Sequence, residues 1–409
     1  MINECDFYST ILDVQAPWFV KEVSLDIKKG SVNVYLDHAS STFSCPICFS
    51  ECTVYDHSSS RTWRHLDTCQ YQTLIHARIP RVKCSEHGIR QAEIPWSSRQ
   101  SSFTLLMEIF ILKALELCEN ISAAAKLCRI SWDQAQLVMQ HGVERGLARR
   151  KDFDTKLIAI DEKAFKKGHK YLTIISSLES GAILEVLESR KKEALDDYYK
   201  TLPTEKKEQI EAVSMDMWPA FINSTKEHVD PNENKIVFDK FHIIAILNKA
   251  VDAVRRKEHY KLQAEGNSVL KSTKYMWFYS PENLPSKYEK DYERLTQSDL
   301  ETAKVWAFKE GFKRIFDYKY VENAKKYFMQ WYESVLSSGI KNIIGAAETL
   351  NSHLYGILNG VKHQVTNGLA EGLNSKIMAI KRRARGHRNL ENLKTAIYFY
   401  CGKLDVYPR

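Results

Sequence analysis

The chain has 409 residues, of which 44% are hydrophobic and 27% are charged, and its formal net charge is +8. The composition is that of a folded globular protein, and the length exceeds what one compact core usually holds. Because no run of about 18 apolar residues occurs, we expect neither a membrane span nor a secretion signal. Nine cysteines at irregular spacing predict a reducing cytoplasm, in which thiols stay free or bind metal.

The first region is predicted to contain β-structure and a zinc site. Residues 21–37 alternate apolar and polar side chains on either side of Lys-Lys-Gly, which predicts a β-hairpin. Cys45-x-x-Cys48 and Cys84-x-x-His87 follow as two ligand pairs separated by β-like sequence. Thiolates and imidazole are the ligands that tetrahedral zinc prefers, so we predict one structural Zn²⁺. Two unrelated cysteine pairs within a core are the alternative.

The next region has the pattern of a helix-turn-helix. Apolar residues recur at helical spacing between residues 103 and 147, in three segments that break near Asn120 and Ile130. Ser131 can cap the second helix of the motif, and Gln134 and Gln136 on that helix suit base edges in a DNA major groove. Arg129 stands at a turn position where glycine is usual. A small three-helix bundle without a DNA contact is the alternative.

Two aspartates then end short apolar runs. "KLIAID" ends at Asp161 and "EAVSMD" ends at Asp216, and such runs suit buried central strands. Neighbouring strands lie about 4.8 Å apart, so the two carboxylates could share a cation that neutralises their repulsion. Oxygen ligands favour Mg²⁺ or Mn²⁺. The alternative is that both residues are ordinary turn formers at strand ends.

Two further acids compete with this interpretation. Glu162 follows Asp161 directly and, in a strand, would face the opposite way. Asp239 ends a third apolar run, "NKIVFD", so it could replace or assist one of the ligands, and we interpret it as assisting. Between these runs, residues 190–209 read as one charged helix. From about 241 to 350 the chain reads as helical, with three tryptophans that we expect to serve a small core of their own.

The C-terminal end combines a carboxylate with dense positive charge. Residues 361–409 contain ten Lys and Arg against three Asp and Glu, which favours a polyanionic partner, nucleic acid first, over a merely basic surface. On a helix, Glu371 shares a stripe with basic residues that could grip phosphates. The carboxylate can complete a two-metal site for phosphoryl transfer, with two ions about 4 Å apart. Lys381 or Arg382, and Arg385, fall on this stripe, and the residues that we expect to contact phosphates are Lys381, Arg382, Arg383 and Arg385.

Four blocks of the sequence resemble DDE transposases of bacterial insertion sequences, and the ISL-three family is the closest branch. The blocks are "AIDEKAFKKGHKYLTI", "SMDMWPAF", "FDKFHI" and "TNGLAEGLNSKIMAIKRRARGHRN". The zinc-ligand pairs, "TWRHLD" and the helix-turn-helix also follow that family's order, so the resemblance covers essentially the whole chain. It implies a ribonuclease-H-like catalytic fold interrupted by an all-α insertion, with Asp161, Asp216 and Glu371 as the catalytic triad. His87 stands where the family more often has a fourth cysteine.

We therefore expect a multidomain α+β protein with five segments. They are an N-terminal β region with a zinc ribbon (1–98), a helix-turn-helix (99–150), the first part of a ribonuclease-H-like α/β domain (151–250), a helical insertion (251–350), and a closing helix with a basic tail (351–409).

The expected function is that of a cytoplasmic bacterial transposase, associated with the nucleoid when it is bound to DNA. It would bind the terminal inverted repeats of its insertion sequence, cut with two Mg²⁺ or Mn²⁺ ions, and join the ends to target DNA. Since two ends must be joined, a homodimer or larger assembly is expected on DNA. A non-catalytic DNA-binding regulator with the same zinc and helix-turn-helix modules is the main alternative. A metal-dependent nuclease without preference for repeat ends is a further one.

Overall fold

The computed structural model describes residues 3–99, 101–150, 155–166, 170–364, 368–383 and 389–409. The chain divides into two compact units, Met1–Lys151 with Ala379–Arg409 and Asp152–Met378. Across the described ranges, no helix combines the length and the apolarity needed to cross a lipid bilayer.

The strands are β1 (Trp18–Asp26), β2 (Ser31–His38), β3 (Thr42–Ser44), β4 (Glu51–Arg64), β5 (Gln72–Cys84), β6 (Gly88–Gln91), β7 (Leu157–Lys166), β8 (Lys170–Ser177), β9 (Ile183–Leu187), β10 (Ala212–Met215) and β11 (Ile236–Phe238). The α-helices are α1 (Glu4–Ile11), α2 (Leu105–Cys118), α3 (Ile121–Cys128), α4 (Trp132–Arg149), α5 (Lys192–Thr201), α6 (Thr204–Gln209), α7 (Pro219–His228), α8 (Lys240–Ala264), α9 (Glu289–Thr296), α10 (Glu301–Lys313), α11 (Val321–Ser337), α12 (Lys341–Ser352), α13 (Leu354–His363), α14 (Gly368–Arg383) and α15 (Leu390–Cys401).

The first unit contains a sheet in the order β1-β2-β5-β4-β3, with β6 paired to β5. The antiparallel pairing of β1 with β2 confirms the predicted hairpin. The apolar positions of these strands point to one core, in which Val34, Trp63 and Ile79 are fully buried. Successive side chains of a strand point to opposite faces, so the polar residues lie on the face away from this core. The alternation of apolar and polar residues in the sequence therefore predicts which face of the sheet is packed.

Three consecutive helices, α2 to α4, follow this sheet and confirm the three predicted helical segments. Their boundaries have local causes, because the side chains of Asn120 and Ser131 cap α3 and α4. Each preceding helix ends on a residue in the left-handed conformation, Glu119 and Arg129. The C-terminal helix α15 packs against α4 within the same unit.

The second unit is built on a five-stranded sheet in the order β11-β10-β7-β8-β9. Strands β7, β8 and β9 form an antiparallel meander, whereas β10 runs parallel to β7 and β11 runs parallel to β10. Met215 at the end of β10 is in register with Ile160 and with Phe238. Strands β10 and β11 therefore end level with Ile160, whereas β7 continues beyond it in pairing with β8.

Two sequence-based expectations for this unit were wrong. Residues 190–209 form two helices, α5 and α6, because Pro203 lacks an amide donor and disfavours helical geometry at Leu202. The tryptophans of the helical region do not serve a separate core. Trp277 and Trp331 are buried in one apolar cluster that also contains Ile160 and Met215 of the sheet. Helices and sheet therefore share a core.

Candidate functional site

The structure brings Asp161 and Asp216 together at the edge where β7 and β10 diverge. Asp216 follows Met215, the last residue of β10, and Met215 lies beside Ile160 of β7. One oxygen of each carboxylate and a ring nitrogen of His242 all lie within 4.8 Å of one another. Such a group of oxygen and nitrogen donors can hold a divalent cation.

His242 is the member of this cluster that sequence analysis missed. Its Nε2 lies 2.8 Å from Oδ1 of Asp216. This hydrogen bond raises the pKa of His242 above its ordinary value, although burial of the ring opposes the shift. Asp239, which we expected to assist a ligand, accepts a hydrogen bond from the Phe241 amide and caps α8. The cap fixes the first turn of α8, and His242 lies in that turn.

Asp161 is held by two donors. The Lys163 ammonium lies 2.9 Å from Asp161 Oδ2, and the Asn374 side chain donates a hydrogen bond to the same oxygen. Lys163 shares a strand face with Asp161, because residues two apart on a strand point the same way. Glu162 faces the opposite side, as expected, and pairs with Arg190.

Glu371 lies on the helix that contacts Asp161. It is exposed in the first turn of α14, three residues before Asn374. Residues three apart on a helix are neighbours, with about 5–6 Å between their Cβ atoms. Among the described residues, Glu371 is outside the group formed by Asp161, Asp216 and His242. The structure thus brings two of the three predicted acids together and places the third on the adjoining helix.

The basic residues that follow Glu371 have different surroundings. Lys381, Arg382 and Arg383 form the last turn of α14, where cations interact favourably with the helix dipole. Arg383 pairs with Glu119, and its carbonyl accepts a hydrogen bond of 3.2 Å from the Asn120 side chain. Arg385 lies outside the described residues.

In the first unit, the two predicted zinc-ligand pairs meet. Cys45 Sγ and Cys84 Sγ lie 3.9 and 3.6 Å from His87 Nδ1, and Cys48 Sγ lies 3.6 Å from Cys84 Sγ. A tetrahedron with metal–sulfur bonds of about 2.3 Å has edges of about 3.8 Å, so the donors are spaced as zinc requires. Hydrogen bonds from Ser50 lower the pKa of the Cys48 thiol to about 6, which favours the thiolate.

The helix-turn-helix shows one confirmed and one wrong expectation. Ser131 and Gln134 form a capping box, with reciprocal side-chain bonds of 3.1 and 2.9 Å to each other's amides. Gln134 is exposed, so it can reach a partner. Gln136, which we expected to read DNA, is only 7% exposed, because it lies on the packed face of α4. Within the described part of the chain, neither of its amide atoms has a hydrogen-bond partner.

Comparison with known proteins decides the family. Residues 158–397 match a family model described as a transposase, and residues 92–143 match the helix-turn-helix domain of transposase family ISL3. Residues 41–87 match the zinc-finger of the transposases IS204, IS1001, IS1096 and IS1165. The chain belongs to the ISL3 family of DDE transposases.

The similarity to two known transposases covers most of this ISL3 transposase. The chain is 26% identical over 383 residues to the transposase for insertion sequence element IS1001 of Bordetella parapertussis, covering 92% of each chain. It is 24% identical over 375 residues to the transposase for insertion sequence element IS1557 of Mycobacterium tuberculosis, covering 85% of this chain and 83% of the relative. The recognised motifs are therefore parts of one continuous resemblance.

The family matches place the zinc ribbon and the helix-turn-helix of this transposase next to each other in sequence, and "TWRHLD" joins them in space. His65 Nδ1 lies 2.8 Å from the hydroxyl of Thr104, which caps α2. Asp67 pairs with both Arg64 and Arg129, and Arg129 also donates to the Gln70 carbonyl at 2.9 Å. Arg129 keeps the left-handed turn conformation that usually selects glycine, and its side chain contacts the loop between β4 and β5.

Proposed function

We propose that this transposase binds the terminal inverted repeats of its insertion sequence and cuts and joins DNA with Asp161, Asp216 and Glu371 as its catalytic triad. The observation that supports this most strongly is the convergence of Asp161 and Asp216 at the open edge of the sheet. Two carboxylates this close repel each other unless cations or hydrogen bonds neutralise them. A pure DNA-binding regulator has no need of such an arrangement.

The donor set fits Mg²⁺ or Mn²⁺, which bind carboxylate oxygens. Asp161 and Asp216 would hold the ions, and Glu371 would complete the second position. When bound, two such ions activate an attacking water or 3′-hydroxyl and stabilise the leaving oxygen. The side chains around the carboxylates orient them: His242 holds Asp216, while Lys163 and Asn374 hold Asp161.

We assign the catalytic domain to a ribonuclease-H-like fold with an all-α insertion. An antiparallel meander, β7-β8-β9, followed by β10 and β11 parallel to β7 supports the assignment. The helical residues 251–350 form the proposed insertion. The domain boundaries 1–98, 99–150, 151–250, 251–350 and 351–409 belong to the same proposal.

DNA binding would use the start of α4 and the end of α14. The exposed start of α4, with Gln134, would face a major groove, and Lys381, Arg382 and Arg383 would contact phosphates. Because transposition joins two ends, the active assembly would be a homodimer or larger. The four ligands Cys45, Cys48, Cys84 and His87 would hold one structural Zn²⁺.

The experiment uses the full-length protein and duplex DNA that ends in the inverted repeats flanking its gene. With Mg²⁺, the protein should nick this DNA at the repeat end, and Asp216→Asn should reduce nicking at least about a hundredfold, since metal stabilisation of the transition state supplies several kcal/mol. Asp299→Asn, at an exposed acid of the same unit, is the matched control. Undiminished nicking by Asp216→Asn contradicts the triad. Repeat-specific binding without any nicking by the unmodified protein favours the regulator.

A further inference from the structure

A cluster of Tyr171, Arg190 and Trp218 lies close to Asp216 in the second unit. The Arg190 guanidinium carbon is 4.2 Å from the centre of the Tyr171 ring and 5.1 Å from that of Trp218. Both distances are within the range of a cation–π contact. Arg190 Nη1 also lies 3.4 Å from an oxygen of Glu162, which keeps the guanidinium in place.

The cluster is anchored to the same edge as the proposed metal site. The Trp218 amide donates a hydrogen bond of 2.7 Å to the carbonyl of Asp216, and Trp218 is the N-cap residue of α7. Tyr171 is paired with Ala164, so it shares a face of β7 and β8 with Glu162. This face is opposite to that of Asp161. Because β10 ends at Met215, Asp216 and Trp218 both lie just beyond the C-terminal end of that strand.

The cluster leaves a stacking surface open to solvent. Trp218 is 41% exposed, and the Arg190 side chain is half-buried. A single exposed aromatic residue is ordinary on a protein surface. Here, however, the indole adjoins a planar cation and lies two residues beyond Asp216, which we propose to hold a metal ion at the phosphodiester. The faces of an indole and a guanidinium match the flat face of a nucleobase, and the positive charge suits the adjacent phosphate.

Bases inside a duplex are stacked on each other and cannot offer this flat face. We propose that Trp218 and Arg190 bind an unpaired base of the DNA strand that is cut, next to the scissile phosphate; this rests on the proposed function. Tyr171 and Glu162 position the guanidinium. Extruding a base breaks its stacking and pairing in the duplex, and stacking on an aromatic residue offsets part of that loss. Stacking needs no particular base, so the site would act on any terminal sequence.

The first test compares intact repeat-end DNA with substrates that carry one abasic nucleotide at each of the positions flanking the cut. Trp218→Ala should lower cutting of intact DNA about tenfold or more, whereas Trp218→Phe should retain most activity. At the position of the extruded base, the abasic substrate should be cut equally by both proteins. Tyr260→Ala, at an exposed aromatic residue of the same unit, is the matched control.

Two results overturn the proposal. One is full activity of Trp218→Ala on intact DNA. The other is an equal loss on every abasic substrate, which a merely structural role for the indole predicts. Arg190→Lys keeps the positive charge but removes the planar guanidinium. Its cutting of intact DNA should therefore be weaker than that of the unmodified protein and stronger than that of Trp218→Ala.

A second test requires no cutting and separates this proposal from the proposed function. Permanganate oxidises thymines that are unstacked, so repeat-end DNA with a thymine placed at each flanking position in turn should show one reactive position when it is bound. The reactivity should be lost in Trp218→Ala. If the unmodified protein never cuts but shows this signal, the catalytic proposal fails and the base-binding site stands. If no thymine becomes reactive at any flanking position, the base-binding site is wrong.

Discussion

The zinc site of the first unit and the carboxylate site of the second unit are assembled in opposite ways. Each zinc-ligand pair spans one short turn, so Cys45 and Cys48 are brought together by local backbone geometry. Asp161 and Asp216 are brought together by the register of two parallel strands, and His242 by the cap of a following helix. A short sequence motif is therefore enough to bring two zinc ligands together. The carboxylates come together only when the strands that carry them pair in the sheet.

The largest expected effect is on the stability of the zinc ribbon, when one of its ligands is removed. Cys45→Ser should abolish zinc binding and unfold the ribbon, because structural zinc contributes about 10 kcal/mol to folding in comparable small sites. Metal analysis and hydrogen exchange of the purified protein measure both effects. Cys69→Ser is the control, since Cys69 is exposed in the same unit. Full zinc occupancy in Cys45→Ser contradicts the ligand assignment.

A buried histidine makes the first unit sensitive to acid. Burial lowers the pKa of His65 to about 4, below the 6.5 of an unfolded chain. The neutral ring therefore contributes stability that is fully present above pH 6.5 and is lost as the pH falls toward 4. The loss should reach about 2 kcal/mol at pH 5.

His65→Asn removes the titrating ring and keeps a polar partner for Thr104. Urea unfolding at pH 7.5 and pH 5 should therefore show a smaller pH dependence in the variant than in the unmodified protein. Protonation of the zinc ligands affects both proteins alike and cancels in the difference. Equal pH dependence in the two proteins argues against a neutral buried His65.

The activity of the carboxylate site should depend on His242, which contacts Asp216 and not the substrate. We expect His242→Ala to raise the Mg²⁺ concentration required for half-maximal nicking and to reduce activity about 10- to 100-fold, because the partner of a metal ligand orients it. His242→Gln, which can still donate to Asp216, should recover part of the loss. Titration of nicking with Mg²⁺ measures this. A lower rate at an unchanged Mg²⁺ requirement contradicts positioning of Asp216 by His242.

The smallest effect is expected at the helix-turn-helix turn. Arg129→Gly relieves the left-handed strain of a non-glycine residue and removes a half-exposed ion pair with Asp67. The two contributions oppose each other, so unfolding free energy should change by less than about 1 kcal/mol. Asp67→Asn should destabilise more, since Asp67 also pairs with the nearly buried Arg64. Thermal unfolding of both variants measures the difference. A larger loss in Arg129→Gly than in Asp67→Asn contradicts this ranking.

The sequence alone predicted most of the features that depend on residues close together in the chain. The β1–β2 hairpin, the three helices, the Ser131 cap and the two zinc-ligand pairs each depend on residues a few positions apart. The strand ends at Asp161 and Asp216 were also visible, because an apolar run that stops at an acid indicates a buried strand. That these strands are neighbours required the sheet.

The missed features depend on packing. His242 follows Asp239 at the spacing of a capped first helical turn, and this signal was available in "FDKFHI". It does not predict that His242 contacts Asp216, because that contact requires β11 to lie beside β10. Gln136 was assigned to the DNA-facing side because glutamine suits base edges, but the packing of α4 buries it. Asn374 contacts Asp161 only because α14 returns to the sheet, and periodicity does not give that long-range contact.

The central claim is that Asp161, Asp216 and Glu371 converge on one metal site, and iron-directed cleavage of the protein tests it most directly. Fe²⁺ bound in place of Mg²⁺ produces hydroxyl radicals with ascorbate and peroxide, and these cut the backbone close to the ion. We predict three cuts in the DNA-bound full-length protein, near residues 161, 216 and 371, all suppressed by excess Mg²⁺. Cuts near 161 and 216 with none near 371, or cuts that Mg²⁺ leaves unchanged, contradict the claim.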